Sequence, residues 1–417
     1  MSTETRRDFV KKAAWGTAAL LTSTAAAAAN TLGANDRIRI GIIGPGARGQ
    51  QLLQQLRGID GVQLIAAADV YTRRLDETKQ IFPDVQVFRD HRRLLEMKDL
   101  DGVIVATPLH LHARHLLDAL AAGKDVYVEK TMTWSIPEAE KCLEAAQKSD
   151  RVIQVGLQHQ TEGAFKDAKK WVADGLIGKV SQVESWMSRN TPRGKGQWGR
   201  PAPADCTAQN VDWKAFLNGR HDTGFDAYKF INWRLFWTFS GGNITENMVH
   251  QIAWIAGVLD LPLPTAAYMS GGVFSEKDGR QVPDTIAVTF DFPNEMVLTW
   301  QSTFSNSTFG LGQRILGSDG TIEYVAGAND MVTGKSEESV HYYPEAINRP
   351  QAVALKGESP SDSHMANWFD CMRSRKSPNA PIKLGYQTAV MAHMANMSYR
   401  EKKRVTLEEA RAAKVEL

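Results

Sequence analysis

Glu246 and His250 stand four residues apart in WRLFWTFSGGNITENMVHQIAWIAGVLD (233–260), a spacing that puts both side chains on one face of a helix. A carboxylate one turn from an imidazole orients the ring and raises its basicity, which suits general acid–base work. The same spacing also describes an exposed pair on an amphipathic helix, where it contributes roughly 0.2–0.5 kcal/mol. Ile244, Val249, Ile252, Trp254, Ile255 and Val258 supply the apolar stripe of such a helix. Lys130 is a second candidate. It closes DVYVEK (125–130), where a short apolar strand gives way to a turn. Desolvated beside another cation, a lysine loses its preference for the ammonium form and can exchange a proton with a hydroxyl.

These groups need elements that hold them, and RIRIGIIGPGARGQQLLQQL (37–56) supplies the first. An apolar strand runs into Gly44, Gly46 and Gly49, in the pattern G-x-G-x-x-G, and a helix follows through Ala47 and Arg48. Gly44 permits the turn, Gly46 lets the backbone approach a pyrophosphate, and Gly49 lets helix and strand pack closely. The anion then rests on the helix N-terminus. A second strand, VQLIAAADV (62–70), delivers Asp69 twenty residues after Gly49, where an acid hydrogen-bonds the adenosine ribose. An acid there favours NAD over NADP, although Arg73 and Arg74 are near enough in sequence to reach a 2′-phosphate. Strand and helix keep alternating through DLDGVIVATPLHLHARHLLDALAAGKDVYVEKTMTW (99–134), which predicts a doubly wound parallel sheet. Thr107, Pro108, Glu129 and Lys130 fall at the carboxyl ends of its strands, where such sheets bind ligands.

ATPLHLHARHLLDALAAGKDVYVEK (106–130) resembles the cofactor and catalytic segment of the Gfo/Idh/MocA oxidoreductases. The family usually reads E-K-P where this chain reads Glu129-Lys130-Thr131. The resemblance implies a histidine near the nicotinamide at His112, and a cofactor contact at Gln158. It implies that His250 is the acid/base and Glu246 its partner or a substrate ligand. Substrate contacts are expected at His159, Trp233 and Arg234; the family often has Arg or Asn at the first of these. The expected fold is a Rossmann domain followed by an α+β domain with an open, mainly antiparallel sheet. The corresponding segments are 1–34, 35–158 and 159–417. Strands are read at 265–274, 284–292, 296–304 and 314–325, and one sheet face could pair with another subunit as a homo-oligomer. The Gly/Pro-rich stretch 188–213 is long enough to be functional, and Trp198, Trp213, Trp233 and Trp237 are either sugar-stacking or core residues.

HLHARH (110–115) clusters three histidines, but no cysteine or carboxylate stands close by in sequence, so no metal is expected. His110 and His115 read as helix-face residues. Three widely spaced cysteines form no disulfide framework. TRRDFVKK (5–12) carries a twin arginine ahead of an uncharged apolar run, AAWGTAALLTSTAAAAA (13–29), as in a twin-arginine export signal. The expected location is therefore the periplasm or beyond. The chain has 49 basic and 47 acidic residues; four of the former and two of the latter precede residue 35, leaving 45 of each. That balance argues against a nucleic-acid partner. A chain exported folded carries its cofactor with it, because the periplasm offers no nicotinamide pool. The expected activity is hydride transfer at a sugar, glycoside or cyclitol hydroxyl with tightly bound NAD. The alternatives are an NAD-dependent glycoside hydrolase working by transient oxidation and elimination, and a non-catalytic cofactor-binding protein.

Overall fold

The computed structural model describes residues 37–192, 194–222, 224–329 and 336–413. The export signal expected over residues 1–34 lies outside them. Ile38–Ile43 (β1), Val62–Ala68 (β2), Gln86–Phe88 (β3), Gly102–Val105 (β4), Asp125–Val128 (β5) and Ile153–Val155 (β6) form a parallel sheet in the order β3-β2-β1-β4-β5-β6. Helices Ala47–Leu56 (α1), Thr72–Ile81 (α2), His91–Leu95 (α3), His112–Ala121 (α4) and Ile136–Gln147 (α5) alternate with the strands. β1, β4 and β5 are almost wholly buried, as strands covered on both faces must be.

The register brings the strand ends level. Ile43 pairs with Ala68 and Val105, Val105 with Val128, and Val128 with Val155. Whatever follows each strand therefore arrives at one edge: Gly44, Asp69, Thr107, Glu129–Lys130 and Gln158. The chain reverses its winding between β1 and β4, which opens a crevice there.

The second sheet holds Val180–Ser188 (β7), Ala266–Gly272 (β8), Thr285–Phe292 (β9), Met296–Thr303 (β10), Leu311–Gly317 (β11), Gly320–Asn329 (β12), Ser336–Pro344 (β13), Leu355–Lys356 (β14) and Val405–Thr406 (β15). Its order is β14-β13-β12-β11-β7-β10-β9-β8-β15. Only β7 and β10 pair in parallel, so the sheet is mainly antiparallel. Burial alternates along β10: Met296, Leu298 and Trp300 face the core, whereas Val297 and Gln301 face outward. Segment 314–325 is a hairpin across Ser318 and Asp319 rather than one strand, and β7, β13 and β14 were not anticipated.

The remaining helices are Gly163–Ala173 (α6), Trp213–Leu217 (α7), Ala227–Ile231 (α8), Val249–Leu259 (α9), His364–Ser374 (α10), Ile382–Glu401 (α11) and Leu407–Ala412 (α12). α9 is buried on nearly every side instead of being amphipathic. α10 leaves the second sheet and packs Met365, Trp368, Phe369 and Met372 against Ile40, Ile42, Leu52 and Leu53. A C-terminal helix thus completes the core of the N-terminal domain, which a single division after residue 158 does not foresee.

Candidate active site

A cavity of about 900 Å³ runs along the level strand ends and under the second domain. At one end lies the glycine loop. Gly44 has φ +86°, and a Cβ there would stand 2.6 Å from the Thr107 side chain. A Cβ on Gly49 would stand 2.6 Å from the Gly44 carbonyl oxygen. A Cβ on Gly46 would meet no protein atom within 4 Å. Two glycines thus keep the loop tight, and the third leaves its cavity side open beside the start of α1. That cradle fits a dinucleotide pyrophosphate.

Asp69 also lines the cavity, and its carboxylate accepts from the Tyr71 backbone N–H at 2.8 Å. Burial pushes its carboxyl up to about 7, against that hydrogen bond and the charge of Arg74. Arg73 is turned away: its Nε donates to Asp205 Oδ2 at 2.8 Å. Arg74 lines the cavity but donates to Glu77 at 2.7 Å. The loop after β7 straps over this end. Tyr71 Oη donates to Asp205 at 2.9 Å, Thr72 N–H to the Asn210 carbonyl at 3.1 Å, and Asp212 N–H to the Val70 carbonyl at 2.9 Å.

The other end gathers the titratable groups. Lys130 Nζ donates to the Glu246 backbone carbonyl at 2.9 Å and lies 3.5 Å from Glu246 Oε2. Arg234 Nε donates to that same oxygen at 2.9 Å. One carboxylate therefore serves two cations. Burial pulls the Lys130 ammonium down, against the opposing charges of Glu246 and Glu129. Burial pushes Glu246 up, but Lys130 and Arg234 outweigh it and hold its carboxyl below the usual range. Arg234 keeps its proton under all ordinary conditions, so Lys130 is the member of the trio that can lose one.

His250 lines the wall beside this trio, and its Nδ1 is buried without a partner among the described residues. Burial, then the charges of Lys130, His159, Arg48 and Arg189, drive the ring well below the ordinary histidine range. Its imidazole is therefore neutral at pH 7. His112 sets its two nitrogens against the Thr131 and Thr107 carbonyls, each at 2.7 Å, and so ties the turn after β5 to the turn after β4. Arg48 Nε donates to buried Glu129 at 2.7 Å.

Residues 38–157 match the family described as "Oxidoreductase family, NAD-binding Rossmann fold", and residues 218–407 its "C-terminal alpha/beta domain". The chain belongs to the Gfo/Idh/MocA oxidoreductases. It is 30% identical to a myo-inositol 2-dehydrogenase of Thermotoga maritima over 34% of this chain and 42% of that one. It is 28% identical to a scyllo-inositol 2-dehydrogenase (NADP(+)) of Bacillus subtilis over 39% of this chain and 45% of that one. These matches span about half the length of the curated relatives. The aldose-aldose oxidoreductase of Caulobacter crescentus has the same fold, with a TM-score of 0.66 and 17% identity over 89% of this chain and 99% of that one.

The structure of this Gfo/Idh/MocA chain brings Gly44, Gly46, Ala47, Arg48, Asp69, Thr107, Pro108, His112, Glu129, Lys130, Gln158, Trp233, Arg234, Glu246 and His250 to one cavity. It corrects three expectations. Glu246 does not orient His250: the turn Ile244–Met248 is a π-helix, and the carboxylate goes to two cations rather than to a neutral ring. His159 is not a cavity residue; it bonds Glu162 at 2.5 Å and stands edge-on behind His250, with ring centroids 5.2 Å apart. His110 and His115 are buried, not surface residues, bonding the Phe216 carbonyl at 2.6 Å and the Thr107 hydroxyl at 3.2 Å. The Lys130–Thr131 peptide is cis, and the Thr131 hydroxyl donates to the Thr245 carbonyl at 2.6 Å. Trp213 is core, while Trp198 lines the cavity. Arg189, Arg200 and Asn247 also line it and were missed. The alternating segment 180–188 was the available signal, because a strand there ends at Arg189.

Proposed function

We propose that this protein oxidises or reduces a hydroxyl-bearing carbon of a sugar or cyclitol, using a nicotinamide dinucleotide. The observation that carries the reading is Lys130, held by Glu246 beside a neutral His250, in the cavity that begins at the glycine loop. Gly44, Gly46 and Arg48 would hold the diphosphate and Asp69 the ribose. When bound, the nicotinamide supplies the hydride acceptor or donor. Lys130 donates a hydrogen bond to the substrate hydroxyl oxygen. His250 takes the hydroxyl proton in oxidation and returns it in reduction. Trp198 and Trp233 narrow the cavity against water.

The cofactor is NAD rather than NADP in this reading. Asp69 disfavours a 2′-phosphate, and the two arginines near it are engaged by Asp205 and Glu77. It is bound tightly and exported with the folded chain by the twin-arginine route, a reading supported by TRRDFVKK and by the strap over the Asp69 end. The outward face of the second sheet, with Tyr268, Val297 and Tyr343 exposed, is the face proposed for a homo-oligomer.

The test has two steps. Denaturing the purified, signal-processed protein should release nicotinamide in near-stoichiometric amount. Adding sugars and cyclitols to the intact protein should then change the absorbance of the bound nicotinamide. A protein that neither contains nor binds NAD or NADP would end the redox reading. Aglycone release from glycosides without net reduction would assign the hydrolase instead.

A further inference from the structure

We infer that the substrate carries a carboxylate and that Arg189 binds it, an assignment that rests on the redox site just proposed. The charges at that end of the cavity do not balance without it. Glu129 is held by Arg48, and Glu246 is shared by Lys130 and Arg234. Arg189 lines the same wall, yet among the described residues its guanidinium has neither a hydrogen-bond nor an ion-pair partner. Its backbone is fixed where β7 ends: Arg189 N–H donates to the Thr303 carbonyl at 2.9 Å, and Ser188 N–H to the Gly310 carbonyl at 2.7 Å. A side chain rooted in a sheet is presented to the cavity rather than trailing in solvent.

Its neighbours identify the end it serves. Burial pulls the Arg189 guanidinium down, with Glu246 opposing, and the Arg189 charge in turn depresses His250. It therefore acts among the groups proposed to handle the substrate hydroxyl. The diphosphate belongs at Gly44 and Gly46, on the start of α1. A partly desolvated, unpaired cation is costly. Sugar hydroxyls do not neutralise it, whereas a carboxylate does, and the planar guanidinium matches a carboxylate with two parallel hydrogen bonds. Arg200, exposed at the cavity rim, adds a second cation of the same sign. Its backbone is clamped to Asn232 by two 2.9 Å hydrogen bonds next to Trp233 and Arg234. The substrate class is thus an acidic sugar: a uronate, an aldonate or a carboxylated cyclitol.

The test is titration calorimetry on the cofactor-loaded protein. The probes are glucuronate, galacturonate and gluconate, their neutral parents glucose and galactose, and glucose 6-phosphate. At least one acid should bind more tightly than its neutral parent. Arg189→Gln should cut the acid-to-neutral affinity ratio by about 10- to 100-fold, the range expected for a charged hydrogen-bonded pair. Arg189→Lys, which keeps the charge and loses the fork, should fall between. The inference fails if no acid binds, if neutral parents bind as well as acids, if Arg189→Gln leaves the ratio unchanged, or if the 6-phosphate binds best. Arg189-dependent binding of an acid with no change in nicotinamide absorbance would keep this assignment and remove the redox reading. Redox turnover of neutral sugars alone would do the reverse.

Discussion

Lys130 and His250 divide the proton work because their surroundings push them in ways that can be measured separately. His250 has its pKa driven well below 6.5 by burial, so protonation removes the base only at low pH. The acid limb of the pH–rate profile for oxidation should therefore lie below the ordinary histidine range. Lys130 has its pKa lowered from 10.5, so its donor should be lost on an alkaline limb that begins earlier than for a free lysine. Glu246→Gln removes the anion that supports the ammonium and should move that alkaline limb to still lower pH. Lys130→Ala and His250→Ala should each lower kcat by about 10²- to 10⁴-fold while retaining cofactor. Full activity in either variant would refute the assignment. Asp69 behaves differently. Its carboxyl is raised to about 7 in the folded chain, so the stability linked to its proton is complete below about 4 and is lost as pH rises through 7. Asp69→Asn should gain stability relative to the unsubstituted cofactor-free protein across that window, read as melting temperature against pH. It should also bind NAD more weakly, since the ribose contact is altered.

Among the elements, the glycine loop and the strap make opposite kinds of contribution. Gly46 has ordinary negative φ and open space where a Cβ would stand. Gly46→Ala should leave the melting temperature of the cofactor-free protein unchanged or slightly higher, because alanine restricts the unfolded chain. It should nonetheless weaken dinucleotide binding, and unchanged NAD affinity would show that no phosphate approaches that position. The strap predicts a kinetic effect instead. Asp205 receives both Tyr71 and Arg73 just beyond Asp69. Asp205→Ala should speed cofactor release in a stopped-flow or dialysis experiment, with a smaller effect on turnover. An unchanged release rate would mean that the strap covers nothing that limits dissociation.

At the scale of the whole molecule, the two sheets are joined by more than the cavity between them. α10 returns from the second domain to complete the core under the parallel sheet, and Trp368 is wholly buried there. Asp125 accepts from Arg375, just past the end of that helix, through both carboxylate oxygens at 2.9 Å. Trp368→Ala should cost about 3–5 kcal/mol of folding stability. Calorimetry should show the whole chain losing stability, because the helix ties the domains into one cooperative unit. A separate low-temperature transition confined to the N-terminal half would contradict that coupling.

The sequence by itself determined what depends on neighbours along the chain. The strand–glycine–helix run, Asp69 at the end of the next strand, and the alternation from 99 to 134 are local patterns, and the parallel sheet with its ligand edge follows from them. Lys130 was legible because a strand end in such a sheet is a defined place. Tertiary structure decided where charges meet. Glu246 and His250 are four apart on paper, but Lys130 and Arg234, 116 and 12 residues away from Glu246, claim the carboxylate. A full opposite charge within a few ångströms outweighs a neutral ring one turn along. His159 lay beside Gln158 in sequence yet points behind His250, because a 3₁₀ turn at Gln158–Thr161 separates their directions. Arg189 carried no motif at all. Its meaning arises only where β7 ends beside a cavity whose other charges are already matched.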